Sequence, residues 1–114
     1  LSADSGVSPF CYYGQFSRLA GADAAIFTSF GGRFPFTEEV CRKICDGTET
    51  EMGGLRSIFP VPSGGMKWQL FKKMVQVYGP DAIFLVGGAL LTESDVLTAN
   101  MHFYFEKLNE AVNK

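Results

Sequence analysis

The feature that most constrains this chain is an Ile-Phe pair that is followed, within a few residues, by Gly-Gly. The motif occurs three times, with Ile-Phe at 26–27, 58–59 and 83–84 and Gly-Gly at 31–32, 64–65 and 87–88. Each Ile-Phe pair stands in a short apolar run with β-branched or aromatic residues, which is typical of a strand buried on both faces. The repeat therefore predicts three strands, each leading into a glycine-rich turn.

Apolar residues with helical spacing follow each glycine pair and also precede the first strand. We expect helices from Ser8-Pro9 to Gly21, from Thr37 to Asp46-Gly47, from Met66 to Tyr78, and from Thr92 or Ser94 to Val112. The predicted fold class is therefore α/β, with three βα units preceded by a helix. Strands that alternate with helices pair in parallel, either in a doubly wound sheet or in part of a (β/α)₈ barrel. Because three strands leave two unpaired edges, we expect the chain to be the C-terminal portion of something larger.

The composition excludes several classes of protein. The chain has 114 residues, of which 46% are hydrophobic and 14% aromatic, so it is long and apolar enough to bury the core of one domain. Its net charge of −2 gives no electrostatic reason to expect nucleic acid as a partner. The apolar runs are too short to span a bilayer, so we expect no membrane partner either.

The cysteines and the chain start bear on compartment and metal binding. Cys41 and Cys45 lie four residues apart in a predicted helix, together with a third cysteine at Cys11. This spacing favours two small buried apolar residues over a metal clip, and we predict no metal site in this stretch. The start at residues 1–4 shows no signal-peptide pattern, and a processed, truncated or partly sequenced start stays open. An odd number of cysteines cannot all pair internally and none forms a C-x-x-C pair, so a reducing cytoplasm is the simplest expected compartment.

The turns after the strands are where βα folds place their ligands. Glycine lets the backbone approach a ligand closely, so Ser63-Gly64-Gly65 and Gly87-Gly88 on successive strands indicate a phosphate site; the alternative is that they are tight turns. Arg33 follows the first glycine pair, and either binds an anion or is a solvated loop residue. Lys67 likewise either binds an anion or is a solvated residue. His102, in the middle of the last predicted helix, is expected on the surface or in packing.

Four segments together resemble a known family. They are residues 18–23 (Arg-Leu-Ala-Gly-Ala-Asp), residues 59–66 (Phe-Pro-Val-Pro-Ser-Gly-Gly-Met), residues 78–81 (Tyr-Gly-Pro-Asp) and Gly87-Gly88. In order and spacing they are similar to the last strands of the RuBisCO large-subunit superfamily, and in particular to its RuBisCO-like proteins. The resemblance implies that residues 1–114 are the strand-six to helix-eight part of a (β/α)₈ TIM barrel, with no second domain.

The resemblance also implies roles for individual residues. Ser63, Gly64 and Gly65 would contact a substrate hydroxyl and phosphate after strand seven, and Gly87 and Gly88 would complete the phosphate cradle after strand eight. Arg33 would be the catalytic residue, at the place where true carboxylases hold a lysine over the added carboxylate. Ile26 falls where they have a catalytic histidine, and Gly-Gly-Ala at 87–89 stands in place of three glycines. These departures argue against carbon dioxide fixation.

The implied activity is Mg²⁺-assisted enolisation, isomerisation or decarboxylation of a phosphorylated keto-sugar-type substrate. The metal ligands would lie on strand two, outside this chain, so we expect the isolated chain to be inactive. A homodimer is implied as well. The first alternative is a non-catalytic phosphate-binding or self-assembling βα module. A flavodoxin-like domain is a third reading, disfavoured because the first βα turn lacks a longer phosphate loop.

Overall fold

The computed structural model describes residues 6–113, so the start at residues 1–4 lies outside the described residues. In chain order the elements are a π-helix Phe10–Gln15, α1 Phe16–Leu19, β1 Ala24–Thr28, α2 Glu38–Glu49, β2 Phe59–Ser63, a 3₁₀ turn Trp68–Leu70, α3 Phe71–Tyr78, α4 Gly88–Leu91 and α5 Leu97–Val112. Among the described residues, no helix is long and apolar enough to cross a membrane.

The two strands confirm the predicted α/β class. β1 pairs with β2 in parallel, with a register that runs from Ala24 opposite Phe59 to Thr28 opposite Ser63. The connection between them contains α2, as expected for a parallel βα unit. Both strands therefore end at the same edge of the sheet, and the glycine pairs that follow them emerge side by side.

The predicted third strand is not a full strand, so the expectation of three complete βα units is wrong. Within the described residues, only a single parallel bridge joins Leu85 to Ser63. The amide N–H groups of Ile83 and Leu85 donate to the carbonyls of Pro60 and Pro62, at 3.0 and 3.1 Å. Proline has no N–H, so Pro60 and Pro62 accept hydrogen bonds from this segment but cannot donate any to it. Half of the hydrogen bonds of a regular ladder are therefore missing. The segment keeps the predicted position beside β2 without becoming a regular strand.

The core lies between one face of the sheet and the helices. Its buried members are Phe27, Phe30, Cys41, Ile44, Cys45, Met66, Phe71, Met74, Tyr78 and Tyr104. Because side chains alternate across a strand, the opposite face carries a different set. On that helix-free face, Ile26, Phe59, Ile83 and Leu85 are between 47% and 60% exposed. The sheet thus presents a second apolar face that the helices do not cover.

The second helix continues past the stop that the sequence predicts at Asp46-Gly47. Gly47 lies inside α2, where it crosses Gly14 in the π-helix so closely that a Cβ on Gly14 would lie 2.6 Å from Gly47 Cα. A Cβ on Gly47 would collide with the Phe10 carbonyl. The glycine therefore serves a backbone-to-backbone contact, and the helix ends two residues later at Glu49.

The predicted helix caps are right for α2 and wrong for the last helix. The Thr37 hydroxyl accepts the Val40 N–H at 3.2 Å, as an N-cap does. The last segment divides into α4 and α5, and α5 begins after Val96 with no side-chain cap. Ser94 bonds to the buried Asn100 side chain, which in turn donates to the Leu90 carbonyl at 2.8 Å. Ser94 therefore holds the turn between the helices.

A buried hydroxyl pair fixes the segment that leaves β1. Ser29 Oγ lies 2.7 Å from Tyr78 Oη, and Ser29 is fully buried. Tyr78→Phe leaves Ser29 without this partner, so we expect the free energy of unfolding to fall by about 1–2 kcal/mol. Urea titration followed by circular dichroism measures the change. Tyr12→Phe, at an exposed tyrosine, is the control, and equal stability of the two variants would contradict the assigned contact.

Candidate functional site

A cleft of about 610 Å³ opens where the chain leaves β1 and β2. Its lining comes from the two loops that follow these strands: Gly31, Gly32, Arg33, Phe34, Gly64, Gly65 and Lys67. Four of these seven residues are glycines, so most of the wall is bare backbone. The cleft lies at the carboxyl edge of the parallel pair, where the sequence predicts a ligand site.

Gly65 shows why the loops need glycine here. Its φ of +63° is a conformation that L side chains rarely adopt, and a Cβ on it would lie 2.6 Å from Gly32 Cα. From the other side, a Cβ on Gly32 would lie 3.2 Å from the Gly64 carbonyl oxygen. The two loops therefore touch backbone to backbone. Any side chain at Gly65 must push them apart and change the shape of the cleft.

Backbone amides at this edge are available to a ligand. In the described part of the chain, the N–H groups of Gly65, Gly87 and Gly88 donate to no protein acceptor, whereas the Gly64 N–H takes part in the parallel bridge between Ser63 and Leu85. Unpaired N–H groups on adjacent turns form concavities that bind anions. Gly65, Gly87 and Gly88 thus carry unused donors.

Ser63 is oriented by the neighbouring strand. Its hydroxyl donates to the Phe27 carbonyl at 2.9 Å. A serine hydroxyl has one proton, so in this arrangement Ser63 Oγ can accept from a substrate hydroxyl but cannot also donate to a phosphate. Donation to a phosphate would require rotation of the side chain away from Phe27.

Two cations line the cleft, one on each loop. Arg33 is exposed, and its guanidinium lies 5.0 Å from the centre of the Phe34 ring. Lys67 is exposed on the other loop. Among residues 6–113, neither cation forms a salt bridge, and none of the residues that line the cleft is acidic. The local charge therefore favours an anionic ligand.

Gly87 and Gly88 lie apart from this cleft. They follow the bridge between Leu85 and Ser63, which places them at the same edge of the sheet, but they are not among the lining residues. The structure therefore brings Arg33 together with Gly64 and Gly65, and leaves Gly87 and Gly88 on the other side of Ser63. Ile26 lies on the helix-free face of the sheet and offers no group that could transfer a proton.

A second cleft, of about 660 Å³, lies at the opposite end of the sheet, where β2 begins. The carboxylates of Asp46, Glu49 and Asp81 line it against the single guanidinium of Arg42. Burial raises the pKa of Cys45, which also borders this cleft, to about 12, so the thiol is protonated at neutral pH. This end is suited neither to a phosphate nor to thiolate chemistry.

The described residues give no reason to place a magnesium ion among them. Mg²⁺ prefers carboxylate and other oxygen ligands, and within residues 6–113 no group of three or more His, Cys, Asp or Glu side chains could hold a metal. Cys41 and Cys45 are buried, as the sequence predicts, and burial raises the pKa of both thiols. His102 is exposed on α5, away from the cleft.

The sequence pattern predicts Lys67 inside a helix and does not decide its role. The structure puts it before the 3₁₀ turn that starts at Trp68, in an extended conformation with φ −82° and ψ 139°. One signal in the sequence could have indicated this position. Lys67 follows Gly64-Gly65 by only two residues, and glycines disfavour a helix that begins so close to them.

No family model matches the chain, but individual proteins do. The 5-methylthioribulose-1-phosphate isomerase of Rhodospirillum rubrum is 41% identical over 98 residues, and ribulose bisphosphate carboxylase-like protein 1 of Rhodopseudomonas palustris is 38% identical over 98 residues. The 2,3-diketo-5-methylthiopentyl-1-phosphate enolase of Exiguobacterium sibiricum is 32% identical over 89 residues. These alignments cover 86%, 86% and 78% of this chain, but only 26%, 27% and 22% of the respective relatives.

A solved structure agrees with these relatives. The RuBisCO-like protein MtnW from Alicyclobacillus acidocaldarius superposes with a TM-score of 0.82 at 26% identity, over 94% of this chain and 27% of that one. The chain thus spans about a quarter of the length of the proteins it matches. The similarity extends through the cleft loops, in sequence and in fold. Over about a quarter of their length, the chain is a homologue of the RuBisCO-like proteins.

Proposed function

We propose that this chain supplies the phosphate-binding part of an active site that enolises or isomerises a phosphorylated keto-sugar-type substrate. In this proposal residues 1–114 form the strand-six to helix-eight part of a (β/α)₈ barrel. The carrying observation is the cleft itself, where the unpaired amide of Gly65 and two cations meet with no acidic side chain in the lining. The names of relatives, an isomerase and an enolase of phosphorylated substrates, support the same class of reaction.

The residues would divide the work by their chemistry. The amide of Gly65 would donate to a phosphate oxygen, with Gly87 and Gly88 extending the cradle along the same edge. Ser63 would accept a hydrogen bond from a substrate hydroxyl, since its own proton is held by Phe27. Each contact fixes the substrate relative to the sheet and so limits which carbon can react.

Arg33 would act on charge and not on the proton. A guanidinium stays protonated at any pH the protein meets, so it cannot serve as a general base. It can stabilise the negative oxygen that develops when a proton leaves the carbon beside a carbonyl. The base and the Mg²⁺ ligands would come from parts of the barrel, or from a second subunit, that this chain does not include. Without the histidine and lysine of carboxylases, carbon dioxide fixation is not expected.

Gly88→Asp tests the cradle in the full-length protein. A carboxylate beside bound phosphate is a like-charge contact, so we expect the dissociation constant for inorganic phosphate to rise about tenfold or more. Isothermal titration calorimetry measures it. Gly54→Asp, which adds the same charge on the loop before β2, should leave the constant unchanged. Unchanged affinity in Gly88→Asp would remove Gly88 from the cradle.

The exposed apolar face of the sheet favours a second candidate, a module that assembles with copies of itself. Ile26, Phe59, Ile83 and Leu85 require cover from further polypeptide. In the first proposal the other barrel strands provide it; in the second, another copy of this chain does. The intact mass of the natural protein decides. A mass several-fold above 12.5 kDa supports the barrel, whereas 12.5 kDa supports the self-assembling module.

A further inference from the structure

Lys67 holds a position that neither the resemblance nor the relatives' names assign to a function. Its N–H donates to the Gly65 carbonyl at 2.8 Å, so the residue is tied to the glycine turn. The 3₁₀ turn begins only at the next residue, Trp68. The backbone at Lys67 is therefore fixed by the same loop that carries the unpaired amide of Gly65.

The charge around Lys67 differs from that around most basic residues of this chain. Arg42, Lys43, Lys73 and Lys107 each lie within 4 Å of a glutamate, whereas Arg18 is buried among backbone carbonyls. Within the described residues, Lys67 has no carboxylate partner and shares its cleft with Arg33. Two cations without carboxylate partners on opposite loops repel each other, and an anion bound between them reduces that repulsion.

We propose that Lys67 is a second phosphate-binding cation, which contacts the phosphate dianion from the β2 loop while Arg33 approaches from the β1 loop. The inference rests on the proposed function, because it assumes that the cleft holds the phosphate group. The loops touch at Gly32 and Gly65, so the two cations lie on either side of this backbone contact. Lysine suits this place because its ammonium acts as a mobile point charge with three donors.

The test measures phosphate affinity in the full-length protein, with inorganic phosphate as the probe and isothermal titration calorimetry at low salt. We expect Lys67→Gln to raise the dissociation constant about five- to twentyfold, the loss of one partly exposed charge-assisted hydrogen bond. Lys67→Arg keeps the charge and should stay within about twofold of the wild type. Lys72→Gln, which removes the same charge outside the cleft, is the matched control and should leave affinity unchanged.

Each outcome decides between the two proposals. If Lys67→Gln binds phosphate like Lys72→Gln while Gly65→Ala binds it weakly, the role of Lys67 is overturned and the phosphate site stands. If Gly65→Ala and the wild type bind phosphate equally, or neither binds it, the phosphate site itself fails and the Lys67 proposal fails with it. Weaker binding by Lys67→Gln that Lys67→Arg restores supports Lys67 as the second cation, since a merely structural role would not follow charge.

Discussion

Replacing Arg18 with Met is expected to lower the free energy of unfolding by about 3–5 kcal/mol, the cost of breaking a buried charged network. The Arg18 side chain is 4% exposed, and its guanidinium donates to four backbone carbonyls. The acceptors are Gly47 at 3.2 Å, Thr50 at 2.6 Å, Leu55 at 2.9 Å and Arg56 at 3.0 Å. They belong to the end of α2 and to the segment that leads toward β2, so one side chain joins the two.

The reason for so large an effect is that methionine fills the volume but donates nothing. The carbonyls at the C-terminal end of α2 then lose their cation and remain partly buried. Arg18→Lys should give an intermediate loss, because an ammonium cannot reach four acceptors in a planar fork. Arg42→Met is the control: Arg42 is exposed and lies 3.0 Å from the partly exposed Glu38 carboxylate, and such surface pairs contribute less than about 1 kcal/mol. Urea unfolding followed by circular dichroism should separate the variants, and equal midpoints for Arg18→Met and Arg42→Met would contradict the network.

Gly65→Ala is expected to weaken phosphate binding about tenfold to a hundredfold in the full-length protein, the scale of one or two lost hydrogen bonds to a charged group. The added Cβ would lie 2.6 Å from Gly32 Cα, so the two loops must separate. Separation moves the Gly65 amide away from a phosphate that sits between the loops. Calorimetric titration with inorganic phosphate measures the loss.

Gly53→Ala separates the effect of this contact from that of backbone strain. Gly53 has a similar positive φ of +55°, but a Cβ there would meet nothing within 4 Å. Both variants should lose about 1–2 kcal/mol of stability from the left-handed backbone alone. Only Gly65→Ala should lose phosphate affinity. If Gly65→Ala binds as tightly as Gly53→Ala, the phosphate does not lie between these loops and the proposed phosphate site fails.

Local patterns in the sequence predict the parts of the fold that depend on local physics. The Ile-Phe runs predict β1 and β2 and their parallel pairing, and Thr37 predicts the start of α2. The position of the glycine pairs after the strands predicts that they share one edge of the sheet. Each of these follows from alternation, capping or connection length, which a window of a few residues contains.

Contacts between distant segments account for what the sequence does not predict. The sequence predicts that α2 ends at Gly47, whereas in the structure this glycine lies inside the helix because Gly14, from a distant segment, crosses it. Leu85 does not extend into a strand, because Pro60 and Pro62 in a different segment lack the donors. The sequence identifies Arg18 only as part of a family motif, because its four hydrogen-bond acceptors lie 29 or more positions away along the chain.

The central claim is that this chain binds the phosphate of its substrate at the carboxyl edge of the sheet, between the loops after β1 and β2. The most direct measurement is a crystal structure of the full-length protein with a phosphorylated, unreactive substrate analogue. We predict a phosphate oxygen about 2.7–3.2 Å from the amide nitrogen of Gly65, the normal range for hydrogen bonds, with Arg33 and Lys67 beside it. A phosphate bound elsewhere, with this cleft empty, would contradict the account.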